Sequence, residues 1–259
     1  MRFKNRVIVV TGGATGIGNA AAMLFAEEGA IVAVNDLSED STERAVELIR
    51  SAGGNAIPIP GDVADEDRVV DLARGLVDRY GRIDVLVNAA AQMKLQPAET
   101  YQNWQRLMSV NVDGSFYWAR AAAVHSMIQR RRGSIVNISS GAGLAAVPGD
   151  IGYTTSKHAV IGLTRGLSVE WAPFGIRVNC VCPGLTETPM FREMEHADPQ
   201  RYAARRARIP LGRPARAREQ ANAIAFLASD DASYATGLIM NVDGGQMALF
   251  SGNSPRAVE

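Results

Sequence analysis

Tyr153 and Lys157 stand four residues apart in Tyr153-Thr154-Thr155-Ser156-Lys157. On a helix that spacing puts both side chains on one face, with Cβ atoms roughly 5–6 Å apart. A free phenol has a pKa of about 10 and is a poor base at neutral pH. An ammonium beside it favours the phenolate, and a drop of ~3 in pKa needs only ~4 kcal/mol of differential stabilisation. The expected product is a proton-transfer group usable near pH 7. Tyr-x-x-x-Lys also falls on many solvated helix faces, so the pair has chemical meaning only if the rest of the chain agrees with it.

The elements that must position the pair alternate along the chain. Arg6–Val10 reads as an apolar strand, Thr11–Gly18 as a Gly-rich turn and Asn19–Glu28 as a helix closed by Gly29. Further strand patterns lie at Ile31–Asn35, Ala56–Ile59, Val85–Asn88, Ser134–Ile138 and Arg177–Val181. Helical patterns cover Ser41–Ser51, Asp65–Tyr80, Trp104–Arg131 and the stretch carrying Tyr153 and Lys157. This order predicts an α/β fold, a doubly wound parallel sheet with helices on both faces. With no repeat and no low-complexity linker, residues 1–259 are expected to form one domain.

Composition narrows the class of partner. The 259 residues suffice for one large domain with a substantial core. Lys+Arg and Asp+Glu number 27 each, so net charge is zero and nothing global points to nucleic acid or an anionic membrane. No apolar run approaches the ~20 residues of a membrane span. The strand pattern begins by Val7, which leaves no room for a secretory signal, and a cytoplasmic location is expected. Cys180 and Cys182 sit two apart in a strand pattern and read as buried core thiols, while His125, His158 and His196 are scattered. No metal-ligand spacing results, and no metal is expected.

The Gly-rich turn Thr11-Gly12-Gly13-Ala14-Thr15-Gly16-Ile17-Gly18 joins the first strand to the first helix. Glycines there let the backbone approach a pyrophosphate, whose charge the helix N-terminus stabilises. Eighteen residues past Gly18, Asp36 follows the second strand, where a carboxylate accepts hydrogen bonds from the adenosine ribose hydroxyls. It would repel a 2′-phosphate, and no Arg or Lys in Asp36–Ser41 offsets it, so the expected cofactor is NAD. Asp62, in Gly61-Asp62-Val63 after the third strand, is placed to read an adenine amino group.

In this order the glycine turn, Asp36, Asp62 and the Tyr153/Lys157 pair resemble the short-chain dehydrogenase/reductase family. The resemblance runs from about Arg6 to Met247 and implies a Rossmann-type sheet of about seven strands. The family's Thr-Gly-x-x-x-Gly-x-Gly pattern is met at Thr11, Gly12, Gly16, Ile17 and Gly18. Asn137-Ile138-Ser139-Ser140 resembles the strand end bearing the catalytic serine, and the family's usual separation of thirteen residues from the Tyr selects Ser140 over Ser139. Asn111 matches the asparagine that completes a proton relay, and Pro183-Gly184 with Thr188 matches the segment near the nicotinamide carboxamide. The ending Gly237–Gly245 resembles the family's last strand. By the same resemblance the catalytic set is Asn111, Ser140, Tyr153 and Lys157. The cofactor set is Gly12, Thr15, Gly16, Ile17, Gly18, Asp36, Leu37, Asp62, Val63, Asn88, Ala89, Ala90, Pro183, Gly184, Thr186 and Thr188, with Tyr153 and Lys157. One departure stands out: the family often has Asn-Asn-Ala-Gly where this chain has Asn88-Ala89-Ala90-Ala91, and a methyl at Ala91 would resist a positive φ.

The implied reaction is hydride transfer between nicotinamide and a secondary alcohol, diol or hydroxy acid, or the matching ketone. A 3-oxoacyl-thioester reductase of the same family, or a catalytically silent NAD-binding sensor, are the alternatives. Specificity is expected from Gln92, Met93, Leu144, Val147 and Asp150, with Leu185, Met190 and Phe191 on a lid over about 185–218. Asp150, one turn before Tyr153, hints at a second substrate hydroxyl. Between Arg201 and Arg218 stand seven arginines and no Asp or Glu, either a solvated or interface helix or a site for an anionic substrate group. A homotetramer is implied by the resemblance. The tail Ser251–Glu259 is polar and is expected either to stay unstructured or to reach a neighbouring subunit.

Overall fold

Uninterrupted apolar runs make the strands, because a parallel sheet covered on both faces has no solvent side to satisfy. In the computed structural model, which describes residues 1–249, the strands are β1 Val7–Thr11, β2 Ile31–Asn35, β3 Asn55–Pro58, β4 Val85–Asn88, β5 Gly133–Ile138, β6 Ile176–Pro183, the short β7 Thr186–Glu187 and β8 Ala215–Arg216, and β9 Ile239–Val242. The tail Ser251–Glu259 lies outside the described residues. The helices are α1 Gly16–Glu27, α2 Glu39–Ser51, α3 Glu66–Tyr80, α4 Trp104–Met108, α5 Gly114–Ala122, α6 Ile128–Arg130, α7 Ile151–Trp171, α8 Pro189–Ala197, α9 Pro199–Ala207 and α10 Ala217–Ala228. Seven strands form one parallel sheet in the order β3-β2-β1-β4-β5-β6-β9, and β7 pairs with β8 apart from it. The order reverses beside β1, which is where open α/β sheets place ligands.

Alternate residues of each strand feed two cores. Ile8, Val10, Val32, Val34, Val85 and Val87 pack with α1, α2 and α10, whereas Val9, Ala33, Leu86 and Ile135 pack with α3 and α5. Each fully buried Val or Ile contributes about 1.5–3 kcal/mol, which fixes the register. That register aligns Asn35, Thr11, Asn88 and Asn137 in one row across the carboxyl ends of β2, β1, β4 and β5. All four are buried, and each ties down the chain that follows. Asn35 Nδ2 donates to the carbonyls of Ile59 and Gly61; Thr11 Oγ1 accepts from the amides of Ala89 and Ala90. Asn88 Nδ2 donates to Ser115 O and to Asn137 Oδ1, and Asn137 Nδ2 to Thr164 Oγ1 on α7. The row is a buried clasp beneath the site.

The pattern over Trp104–Arg131 predicts one continuous helix. The structure instead inserts two π-turns, Ser109–Asp113 and Ala123–Met127, between α4, α5 and α6. A π-turn widens the hydrogen-bond ladder without changing which face is apolar, so hydrophobic spacing does not reveal it.

Candidate active site

Helix α1 opens the site with an anion-binding end. Thr15 at its N-cap is extended, makes no side-chain capping bond, and no acid follows in the first turn. The first amides of the helix are therefore free to meet a ligand. Gly12 and Gly16 sit at positive φ, +60° and +58°. A Cβ built on Gly18 would lie 2.2 Å from Gly12 O, and one on Gly12 would lie 2.8 Å from Ala90 Cα. The turn is thus closed so tightly that only glycine fits. Asp36 reaches back to it: Oδ2 accepts from Ala14 N at 3.1 Å and Oδ1 from Leu37 N at 2.8 Å.

A cleft of about 420 Å³ runs from this turn across the strand ends to α8 and α9. Along it lie Gly12, Thr15, Gly16, Ile17, Gly18, Asp36, Leu37, Asp62, Val63, Ala89, Ala90, Pro183, Gly184, Thr186 and Thr188. An uncapped helix end, a glycine cradle and a carboxylate at one extremity fit a nicotinamide dinucleotide. Ala91 also faces the cleft and its φ is not positive, so the methyl strains no backbone. Asp62 is less free than its position suggests, since Oδ1 accepts from Ala64 N and Oδ2 pairs with Arg106 Nη2 at 2.7 Å. Three predicted residues do not line the cleft: Asn111, 1% exposed and described below, Asn88 and Leu144. Asn88 is 3% exposed and sits below the cleft in the clasp. Leu144 turns away to pack on Val160, Ile161, Cys180 and Cys182, because the short turn Gly141–Gly143 carries the chain off the cleft floor.

At the other end β5 delivers two serines with opposite duties. Ser139 is buried and donates to Lys157 O at 2.8 Å. Ser140 is half-buried, accepts from Ala142 N, and its hydroxyl is close enough to hydrogen-bond the Tyr153 phenol. Lys157 Nζ donates to Ile138 O at 2.9 Å and stands 5.3 Å from the centre of the Tyr153 ring. Helix α7 therefore does place the pair on one face. The direction of the phenol's shift differs from the sequence expectation. Burial pushes Tyr153 up to about 12, with Ser140 opposing and Asp150 adding to it, and burial brings Lys157 down to about 8. The spacing argument counted the neighbouring cation and not the loss of water around both groups. Positive charge brought into the cleft stabilises the phenolate.

Asn111 lies in the first π-turn. Both Nδ2 hydrogens are used, on Gln92 O and Ser156 Oγ, each at 2.9 Å, and Oδ1 accepts from Gln92 N at 2.7 Å. Ser156 in turn donates to Tyr153 O at 2.8 Å. The side chain so joins the loop after β4 to α7, and its main-chain carbonyl accepts from Ser115 Oγ.

A family model described as enoyl-(acyl carrier protein) reductase matches residues 12–247. Among relatives, a 3-oxoacyl-[acyl-carrier-protein] reductase of Thermotoga maritima is 40% identical, covering 95% of this chain and 99% of its own. A cyclopentanol dehydrogenase from a Comamonas strain is 39% identical over 95% of this chain and 99% of its own. The solved structure of a gluconate 5-dehydrogenase from Burkholderia cenocepacia, in complex with NADP and tartrate, superposes with a TM-score of 0.90 at 34% identity, covering 96% of this chain and 97% of that one. The chain belongs to the short-chain dehydrogenase/reductase family. It is an oxidoreductase of a family that uses nicotinamide cofactors.

Beside Ser140 and Tyr153 the cleft is lined by Gln92, Met93, Val147, Asp150, Leu185, Met190, Phe191 and Met194. The segment after β6 does more than line the cleft: Leu185, Phe191, Tyr202 and Ile209 form a small core of their own, with Phe191 and Tyr202 edge to face at 5.5 Å. The β7–β8 pair closes its base. Spacing singled out neither Arg106 nor Tyr202, and it did not separate Arg205 from its six neighbouring arginines; all three line the cleft.

Proposed function

We propose that the enzyme is an NAD-dependent dehydrogenase of secondary alcohols, diols or hydroxy acids, working also in reverse on the ketone. The observation that carries this is the meeting of Ser140, Tyr153 and Lys157 at one end of a cleft whose other end holds Asp36. When bound, the nicotinamide supplies the hydride acceptor or donor, and overall CH–OH and NAD⁺ give C=O, NADH and a proton. Tyr153 takes the hydroxyl proton as the carbonyl forms. Ser140 donates a hydrogen bond to the reacting oxygen, where charge builds. Lys157 favours the phenolate and would hold the nicotinamide ribose. Asn111 keeps α7 and the loop after β4 in register, and its main-chain carbonyl in the π-turn is the place for a relay water.

NAD is preferred in this reading because Asp36 is held rigidly at the ribose position by two amides and no basic residue stands within Gly12–Gly18 or Asp36–Ser41. The Burkholderia relative was solved with NADP, so the choice is tested directly by initial rates with each cofactor. A 3-oxoacyl-thioester reductase is the second reading, favoured by the Thermotoga relative. Reduction of acetoacetyl thioesters faster than oxidation of any alcohol would select it.

The working form is taken to be a cytoplasmic homotetramer. Gly162 and Gly166 on α7 have nothing within 4 Å of a built Cβ, and Val169 is 76% exposed, an unpacked face suited to a second helix. Light scattering of the purified protein reads this out. Among the described residues no helix is long and apolar enough to cross a membrane. The deciding experiment for catalysis is Tyr153→Phe, which should retain NAD affinity and lower kcat by ~100-fold or more. Undiminished turnover would refute the assignment.

A further inference from the structure

Two charged groups at the substrate end are not used by the nicotinamide chemistry. Asp150 begins α7 one turn before Tyr153, is 3% exposed, and its Oδ1 has no hydrogen-bond partner among the described residues. Asp150 lines the cleft, and a buried carboxylate left short of a donor is costly unless a ligand or neighbour completes it.

The second group is Arg205. The arginine run sorts itself in the structure: Arg206 pairs with Glu195, Arg213 with Glu219 and Arg218 with Glu27, while Arg201 donates to Pro148 O. Arg205 alone of the seven lines the cleft. It forms no ion pair among the described residues, and its guanidinium rests 5.2 Å from the centre of the buried Tyr202 ring. Its charge is felt by both Asp150 and Tyr153, yet it does not close on Asp150 as a salt bridge. An acid and a base thus share one cleft wall beside the reacting phenol without pairing. A ligand carrying the complementary groups would satisfy both at once, with the planar fork suited to a carboxylate.

We propose that Arg205 and Asp150 are a two-point anchor for a polyhydroxy carboxylate: Arg205 holds the substrate carboxylate, and Asp150 accepts a hydrogen bond from a hydroxyl next to the reacting one. Met190 and Phe191 cover the carbon skeleton between them. The inference rests on the reading of Tyr153 as proton acceptor, because that fixes which hydroxyl reacts.

The test uses the full-length enzyme and matched probes: gluconate against sorbitol, tartrate against threitol, and cyclopentanol as an alcohol with neither carboxylate nor second hydroxyl. Wild type should show kcat/KM at least about tenfold higher for an acid than for its neutral polyol. Arg205→Gln should raise KM for the acid ~10–100-fold, the loss expected for one charge-assisted hydrogen bond. It should leave kcat near wild type and KM for the polyol unchanged, and Arg205→Lys should restore part of the loss. Asp150→Asn should raise KM for acids and polyols and not for cyclopentanol. Equal effects of Arg205→Gln on acid and polyol, or no preference for acids in wild type, overturn the proposal.

Thermal shifts induced by gluconate or tartrate with saturating NADH, compared in wild type and Arg205→Gln, separate the two readings. An Arg205-dependent shift without turnover of any probe sinks the dehydrogenase assignment and keeps the anchor. Turnover of alcohols with no Arg205-dependent shift does the reverse.

Discussion

The two ends of the cleft solve opposite problems. At the cofactor end the protein holds its own loops: Thr11, Asn35, Asn88 and Asn137 clasp them from below, with Asn35 Oδ1 and Asn88 Oδ1 left over beneath the cleft, and Asp36 is held by two amides. What is left open there is a helix end, the part of a fold that cannot satisfy itself. At the substrate end Asp150 Oδ1 has no hydrogen-bond partner, and the Arg205 guanidinium, which rests near the Tyr202 ring, has no ion-pair partner among the described residues. The first end presents a helix terminus and backbone to its ligand, and the second presents side-chain charge that is not paired within the protein. A cofactor common to a family can be met by backbone geometry, whereas selection of one substrate needs groups that are uncomfortable until it binds.

The sharpest break of this contrast lies where the ends meet. Ser140→Ala should lower kcat by roughly 10²–10³, the effect of removing one donor to a developing oxyanion. Ser139→Ala, one residue away, removes only the bond to Lys157 O and should cost about 1 kcal/mol of stability with kcat within a few-fold. Steady-state kinetics and melting of the two variants together give the readout; similar kinetic losses would mean that the serines are not divided in labour. Next in size is Asp36→Ala. Losing hydrogen bonds from a charged acceptor to the ribose, about 1.5–3 kcal/mol, should raise KM for NAD ~10–100-fold and narrow the gap to NADP. An unchanged NAD:NADP ratio would remove Asp36 from the cofactor site.

Legibility in the sequence follows the same division. The strands could be read because a sheet buried on both faces needs unbroken apolar runs, and the glycine turn because its constraints are local to eight residues. Ser140 was separated from Ser139 by its separation from Tyr153. The π-turns were not legible, since Trp104–Arg131 keeps its apolar face through them. Leu144 was misplaced because spacing does not say which way a short turn leads the chain. Asn88 entered the cofactor set through the family resemblance, whereas sheet register puts it beneath the cleft-lining Ala89 and Ala90. The direction of the Tyr153 shift was missed for a different reason: a pairwise argument from Lys157 contains no information on how much water the fold removes. Arg205 required the tertiary fold outright, because only the placement of α9 over the cleft distinguishes it from its neighbours.

The smallest expected effect bears on the substrate end alone and needs no substrate. Burial pushes the Asp150 carboxyl up to about 6, against 3.8 ordinarily, with Arg201 and Arg205 opposing; Tyr101, Tyr153 and Tyr202, the other groups that face it, are neutral over this range. At ~1.4 kcal/mol per decade the charge costs the folded state about 3 kcal/mol. A raised carboxyl binds its proton more tightly when folded, so stability falls as pH rises from about 4 to about 6 and the cost is complete above that. Asp150→Asn keeps the shape and removes the charge. The variant should match wild type in melting temperature near pH 4 and exceed it by roughly 6–12 °C at pH 8, at ~2–4 °C per kcal/mol for a domain of this size. The gain should shrink when a polyhydroxy acid is present at pH 8, because the ligand then supplies to wild type the hydrogen bond that the empty cleft withholds. A variant less stable than wild type at pH 8 would show that Asp150 is already paired by the protein, and that both ends of the cleft are built alike.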